Sequence, residues 1–107
     1  MLLRLHPEAN TELAAAFEWY ERQQLGLGAA FSSAVFRALD AIEESPETWP
    51  EWPGVHHTPP IRRLLLPDFP FAVPYMVLED RVVVLAVTHV RRRPGYWLKR
   101  IRQLRTS

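Results

Sequence analysis

The chain has 107 residues and a mass of 12.5 kDa, room for one domain spanning 1–107. Apolar residues make up 48% and charged residues 23%, a globular balance that argues against disorder, and the lack of cysteine excludes disulfides, thiolate nucleophiles and Cys-ligated zinc. The net charge of +1 hides a split: residues 1–53 hold three cations against nine acids, whereas residues 54–107 hold ten cations against three acids.

The N-terminal Met1-Leu2-Leu3-Arg4-Leu5-His6 is too short for a signal peptide and lacks a small-residue cleavage site. Leu2 to Leu5 fits a first strand. Pro7 then suits a helix start, where its missing N–H would go unbonded anyway. Ala9, Leu13, Ala16, Phe17 and Tyr20 recur at the spacing of one helical stripe. Glu12, Glu18, Glu21 and Arg22 fall largely on the other side. Gly26 and Gly28 punctuate the pattern. A second stripe runs through Phe31, Ala34, Val35, Ala38, Leu39 and Ile42, and stops near Ser45-Pro46 because a residue before proline avoids helical dihedrals. The two segments predict a helical hairpin.

Pro46 to Pro60 is too rich in proline for regular structure and reads as a loop, with Trp49 and Trp52 covering a core edge. Ile61 to Leu66 is a short apolar run bounded by prolines, which fits a strand. Phe71 to Leu78 and Val82 to Val90 predict two more strands, joined at Glu79-Asp80-Arg81. Pro74 cannot donate a ladder bond, so its place in the first of these calls for an edge or a bulge. Pro94 starts a last helix with Trp97, Ile101 and Leu104 on one face. The order β-α-α-β-β-β-α predicts an α+β domain, with helices packed on one face of a small antiparallel sheet.

The densest chemistry lies from His89 to Arg100, where the last strand meets the last helix. From His89 to Arg105 there are seven cations and no acid. Arg91, Arg92 and Arg93 are suited to forking onto phosphates, and Tyr96 and Trp97 offer flat stacking surfaces. The alternatives are a solvated turn for the arginines, a core position for Trp97 and a hydrogen-bonded structural role for His89. Arg62 and Arg63 share a neighbouring strand, and alternation sends them to opposite faces, so one of the two can join the cluster. His56-His57 has no partner at metal-ligand spacing, Glu43-Glu44 reads as helix surface, and no Gly-rich phosphate loop follows a strand.

Taken in order, these pieces resemble the RelE/ParE superfamily of bacterial toxins from type II toxin–antitoxin modules, also called plasmid-stabilisation proteins. The resemblance rests on Pro7-Glu8-Ala9, Trp19-Tyr20-Glu21, Phe31 through Pro46, Ile61-Arg62-Arg63, Phe69-Pro70-Phe71, Tyr75, Val82 to Val87, and His89-x-Arg91-Arg92-x-Pro94-x-Tyr96-Trp97. It implies a helical hairpin on a small antiparallel sheet, as in microbial ribonucleases. It also implies a cytoplasmic, growth-inhibiting toxin in a hetero-oligomer with a cognate antitoxin, without metal, cofactor or membrane.

Two targets follow from the resemblance. In the ribosome-dependent mRNA endoribonuclease branch, Arg63 and Arg92 would clamp the scissile phosphate, and Tyr96 would stack a base or move a proton, with His89 nearby. In the ParE-like branch, the chain would inhibit DNA gyrase by binding. Arg62, Arg91, Arg93, Trp97, Lys99 and Arg100 would then contact the target or the antitoxin. The single lysine, Lys99, and the Trp19-Tyr20-Glu21 signature favour the ParE-like branch. A binding module that engages an antitoxin without toxicity is the third reading.

Overall fold

The computed structural model describes residues 2–104. The elements are β1 (Leu2–Leu5), α1 (Pro7–Gln23), α2 (Leu27–Glu44), β2 (Ile61–Leu65), β3 (Phe71–Val77), β4 (Arg81–Val84), β5 (Thr88–His89), a 3₁₀ turn at Tyr96–Lys99 and α3 (Arg100–Gln103). The fold is α+β, with a helical hairpin followed by strands, as the sequence predicts. Two elements differ in detail. The strand expected from Val82 to Val90 is divided into β4 and β5, and the helix expected from Pro94 starts as a 3₁₀ turn at Tyr96.

The entry into α1 is fixed by His6, whose Nδ1 accepts from the Glu8 backbone N–H (3.1 Å) while Nε2–H donates to Gln103 Oε1 (2.6 Å). The turn into α2 needs glycine twice. Gly26 adopts a left-handed φ of 91°. Gly28, one residue into α2, brings the two helices so close that a Cβ there would sit 2.6 Å from the Phe17 carbonyl oxygen. Gly26 has no side chain to cap α2. Glu21 of α1 does so instead, accepting from the Gly26 N–H (3.0 Å) and the Gly28 N–H (2.9 Å).

The strand order is β1-β4-β3-β2, with β5 pairing β3 on the β4 side. The sheet is antiparallel except where β1 lies parallel to β4. The division between β4 and β5 follows from Pro74. The β3–β4 ladder runs as far as Tyr75 opposite Val84, so Pro74 and Leu85 come next. Leu85 N–H donates to the Pro74 carbonyl (2.8 Å), but proline has no N–H to return the bond. The Leu85 carbonyl accepts from Arg100 Nη1 instead (2.8 Å).

Both faces of the sheet are covered, not one as expected. The helical hairpin packs on the first face against Val73, Tyr75, Val82, Val84 and Val87, with Phe31 edge-on to Phe71 (centroids 4.9 Å apart). The second face carries Ile61, Ala72, Met76, Val83 and Leu85. Its cover is the Pro-rich loop and the C-terminal segment, joined by Trp52 edge-on to a fully buried Trp97 (5.2 Å). The stretch from Pro46 to Pro60 is the expected loop, apart from one bridge between Glu51 and Arg62. Tyr75 spans the first core to reach it, donating its hydroxyl to the Pro46 carbonyl.

Trp97→Ala is expected to lower unfolding free energy by about 3–5 kcal/mol, because it opens the second core. Half-exposed Trp19 changed to Ala should cost about 1 kcal/mol or less. Urea unfolding of both variants checks the contrast. Burial pushes the Tyr75 phenol up to about 12, with Arg62 pulling the other way. A raised folded value means this contribution is complete below the ordinary tyrosine value near ~10 and is lost as pH climbs through the folded one. Unfolding free energy should therefore fall from about pH 10 to pH 12, and Tyr75→Phe should flatten that decline.

Candidate functional site

α1 places Glu12 on the flank of its apolar stripe, three residues after buried Ala9. Its carboxylate, only 16% exposed, accepts from Arg100 Nη1 (2.9 Å) and Nη2 (3.0 Å), a two-pronged pair. It also accepts from the Tyr96 hydroxyl and from the Val87 backbone N–H (3.1 Å). Arg92 approaches it at 3.8 Å and lies over the Tyr96 ring, 3.6 Å from the centroid. Glu8 adds a second carboxylate 3.6 Å from Arg100 Nε.

The electrostatics follow from this packing. Burial and the hydrogen bond to Glu12 raise the Tyr96 phenol above its ordinary value, so it stays neutral. Burial works against the Arg100 charge, but the Glu12 carboxylate outweighs it and raises that pKa. Tyr96 and Arg100 are therefore a donor and a cation held by Glu12.

Beside this network a groove of about 560 Å³ opens between α1 and the β3–β5 margin, walled by Trp19, Tyr20, Phe71, His89 and Arg92. Trp19 is 52% exposed on its rim. The His89 ring sits edge-on to Phe71 (5.3 Å). Its Nδ1 accepts from the Arg91 backbone N–H (3.1 Å), which leaves Nε2 to carry the proton of the neutral ring.

The structure gathers His89, Arg92 and Tyr96 around this margin but sets Arg63 apart. Arg63 pairs with Pro74 across the sheet and lies over the Trp52 ring (5.0 Å) on the second face. His89 pairs with Phe71 on the hairpin face. Arg62 turns to the hairpin face, as alternation requires, and its Nη1 donates to the Trp49 carbonyl (2.8 Å). Arg91, Arg93 and Lys99 are exposed. Two residues expected to contact a target do not face outward: Trp97 is core and Arg100 is 4% exposed. Arg105 lies outside the described residues.

Glu12 is the functional side chain that the sequence reading placed on the wrong side of its helix. Its position, three residues after Ala9 and four before Ala16, was the signal, opposite a C-terminal segment with cations and no acid. Among the described residues, no group of three or more His, Cys, Asp or Glu could hold a metal. No helix among them is long and apolar enough to cross a membrane.

A family model described as ParE toxin of type II toxin-antitoxin system, parDE, matches residues 3–94. The match stops short of Tyr96, Trp97 and Arg100. Among solved structures, the chain is similar to the "Chromosomal ParDE TA system from P. aeruginosa", with a TM-score of 0.72 and 18% identity over 83% of this chain and 95% of that one. At that identity the likeness speaks for the fold. No curated protein matches.

Glu12→Ala should destabilise the protein by about 3–5 kcal/mol, because it strands a buried guanidinium. Pairing it with Arg100→Met should recover part of that loss, since no buried charge is then left alone. A double-mutant cycle in urea measures the coupling.

Proposed function

The chain belongs to the ParE toxin family of type II toxin–antitoxin systems, and we propose on that premise that it arrests growth by binding DNA gyrase and is neutralised by a cognate antitoxin. The observation that carries this reading is the separation of the cationic groups by the sheet. Metal-free cleavage of RNA needs cations on one scissile phosphate and a group free to move a proton. Arg63 lies over Trp52 on one face, whereas Arg92 lines the groove on the other. The Tyr96 hydroxyl is engaged by Glu12, and Arg92 covers its ring. The exposed cations Arg91, Arg93 and Lys99 suit a contact surface.

The same geometry supports the antitoxin as partner in a hetero-oligomer. The groove between α1 and β3 is apolar along Trp19, Tyr20 and Phe71, and cationic at Arg92. It fits an amphipathic segment with acidic residues along one side, ordered on binding.

The test is pulse-labelling in a bacterial host after induction without an antitoxin. Thymidine incorporation is expected to fall before amino-acid incorporation, and Arg91→Glu with Arg93→Glu should weaken binding to purified gyrase by about tenfold or more. A fall in amino-acid incorporation first, with cleaved mRNA, would transfer the assignment to the ribosome-dependent endoribonuclease. Unimpaired growth would leave a non-toxic antitoxin-binding module.

A further inference from the structure

On the second face of the sheet, away from Glu12 and the groove, the Pro-rich loop and the C-terminal segment do not close completely. Between them lies a cleft of about 620 Å³. His56 and His57 stand on one wall, and Arg102 and Gly95 on the other. No carboxylate lines it among the described residues. Its floor is apolar, from Val55, Leu98 and Ile101. Gly54 and Gly95 both hold left-handed φ values, 78° and 93°, which keeps the two rims free of side chains.

The chemistry of His57 is defined. Its Nδ1–H donates to the Pro59 carbonyl (2.8 Å), which pins the tautomer and leaves Nε2 as the proton-accepting atom. A neighbouring hollow brings Arg81 of β4 to the other side of His57. Thus His57 has His56 beside it on its own loop, Arg102 across the cleft and Arg81 from the sheet. The Arg81 charge is partly offset by exposed Asp80 (3.2 Å). A site with one guanidinium, two imidazoles and no acid selects an anion. A phosphate monoester that keeps one proton can donate it to His57 Nε2 while its remaining oxygens accept from Arg102. The apolar floor suits a flat ring attached to that phosphate.

We propose that this cleft binds a phosphate monoester, as borne by a nucleoside 5′-monophosphate, through His57, His56 and Arg102. The site is distinct from the groove assigned to the antitoxin and does not depend on gyrase being the target. Its far wall, from Gly95 to Arg102, lies beyond the segment that the family model matches.

Amide NMR of the full chain, titrated with inorganic phosphate, adenosine 5′-monophosphate and adenosine, tests this. Both phosphates should shift Gly54, His57 and Gly95 saturably, the nucleotide more tightly, and adenosine should leave them in place. His57→Gln or Arg102→Gln should each weaken binding by about tenfold, with the unfolding midpoint unchanged for exposed Arg102 and lowered by no more than the one hydrogen bond to Pro59 for His57. Inorganic phosphate binding as tightly as the nucleotide would reduce the ligand to the free anion and remove the ring from the proposal. Equal shifts from adenosine, shifts centred on Arg91 to Arg93, or full affinity in both variants would overturn the site.

Discussion

A single carboxylate joins the three layers of this fold. Glu12 projects from the hairpin, accepts the Val87 amide at the sheet margin, and holds Tyr96 and Arg100 of the C-terminal segment. With the His6–Gln103 hydrogen bond and the approach of Glu8 to Arg100, it ties the hairpin side directly to the C-terminal segment rather than through the sheet alone. A buried ion pair of this kind fixes geometry more than it adds stability, because desolvation offsets most of the attraction. What it secures is position. The guanidinium spans from Glu12 to the Leu85 carbonyl, so the last segment can seat in one place against the sheet.

That position decides which cations reach solvent. Seven cations follow His89 in the sequence, and they are not equivalent. Arg100 is consumed inside the protein and Arg92 is stacked on Tyr96. Arg91, Arg93, Lys99 and Arg102 stand exposed, and Arg92, though stacked, also keeps much of its side chain in solvent. The basic character of the C-terminal half is thus divided between holding the fold and presenting charge.

Much of this was readable from residue patterns, and the rest failed for physical reasons. The helix stripes, the proline stops and the strand runs determine local structure through periodicity and backbone sterics, so the hairpin and the meander were legible. The second core was not. Its signal was present in the unbroken apolar run around Val82 to Val87, which marks a strand covered on both sides; the covering material is a proline-rich loop with no periodicity of its own. Trp97 at helical spacing had two readings, and burial chose the core. Glu12 was missed because a carboxylate beside an apolar stripe looks solvated until its partner, 88 residues away, is placed against it. The division of Arg63 from His89 depends on strand register, which no local pattern fixes.

The break in the sheet at Pro74 has a consequence for how this sequence can change. Proline removes one ladder donor, and an arginine from the far end of the chain supplies the missing hydrogen bond to Leu85. A residue with an N–H at position 74 would compete with that guanidinium for the same carbonyl. Loss of Arg100 while Pro74 remains would strand the carbonyl in the core. The two positions are therefore epistatic. Drift at one is permitted chiefly in backgrounds where the other has already moved, and the mutational routes away from this sequence are narrower than its simple topology implies.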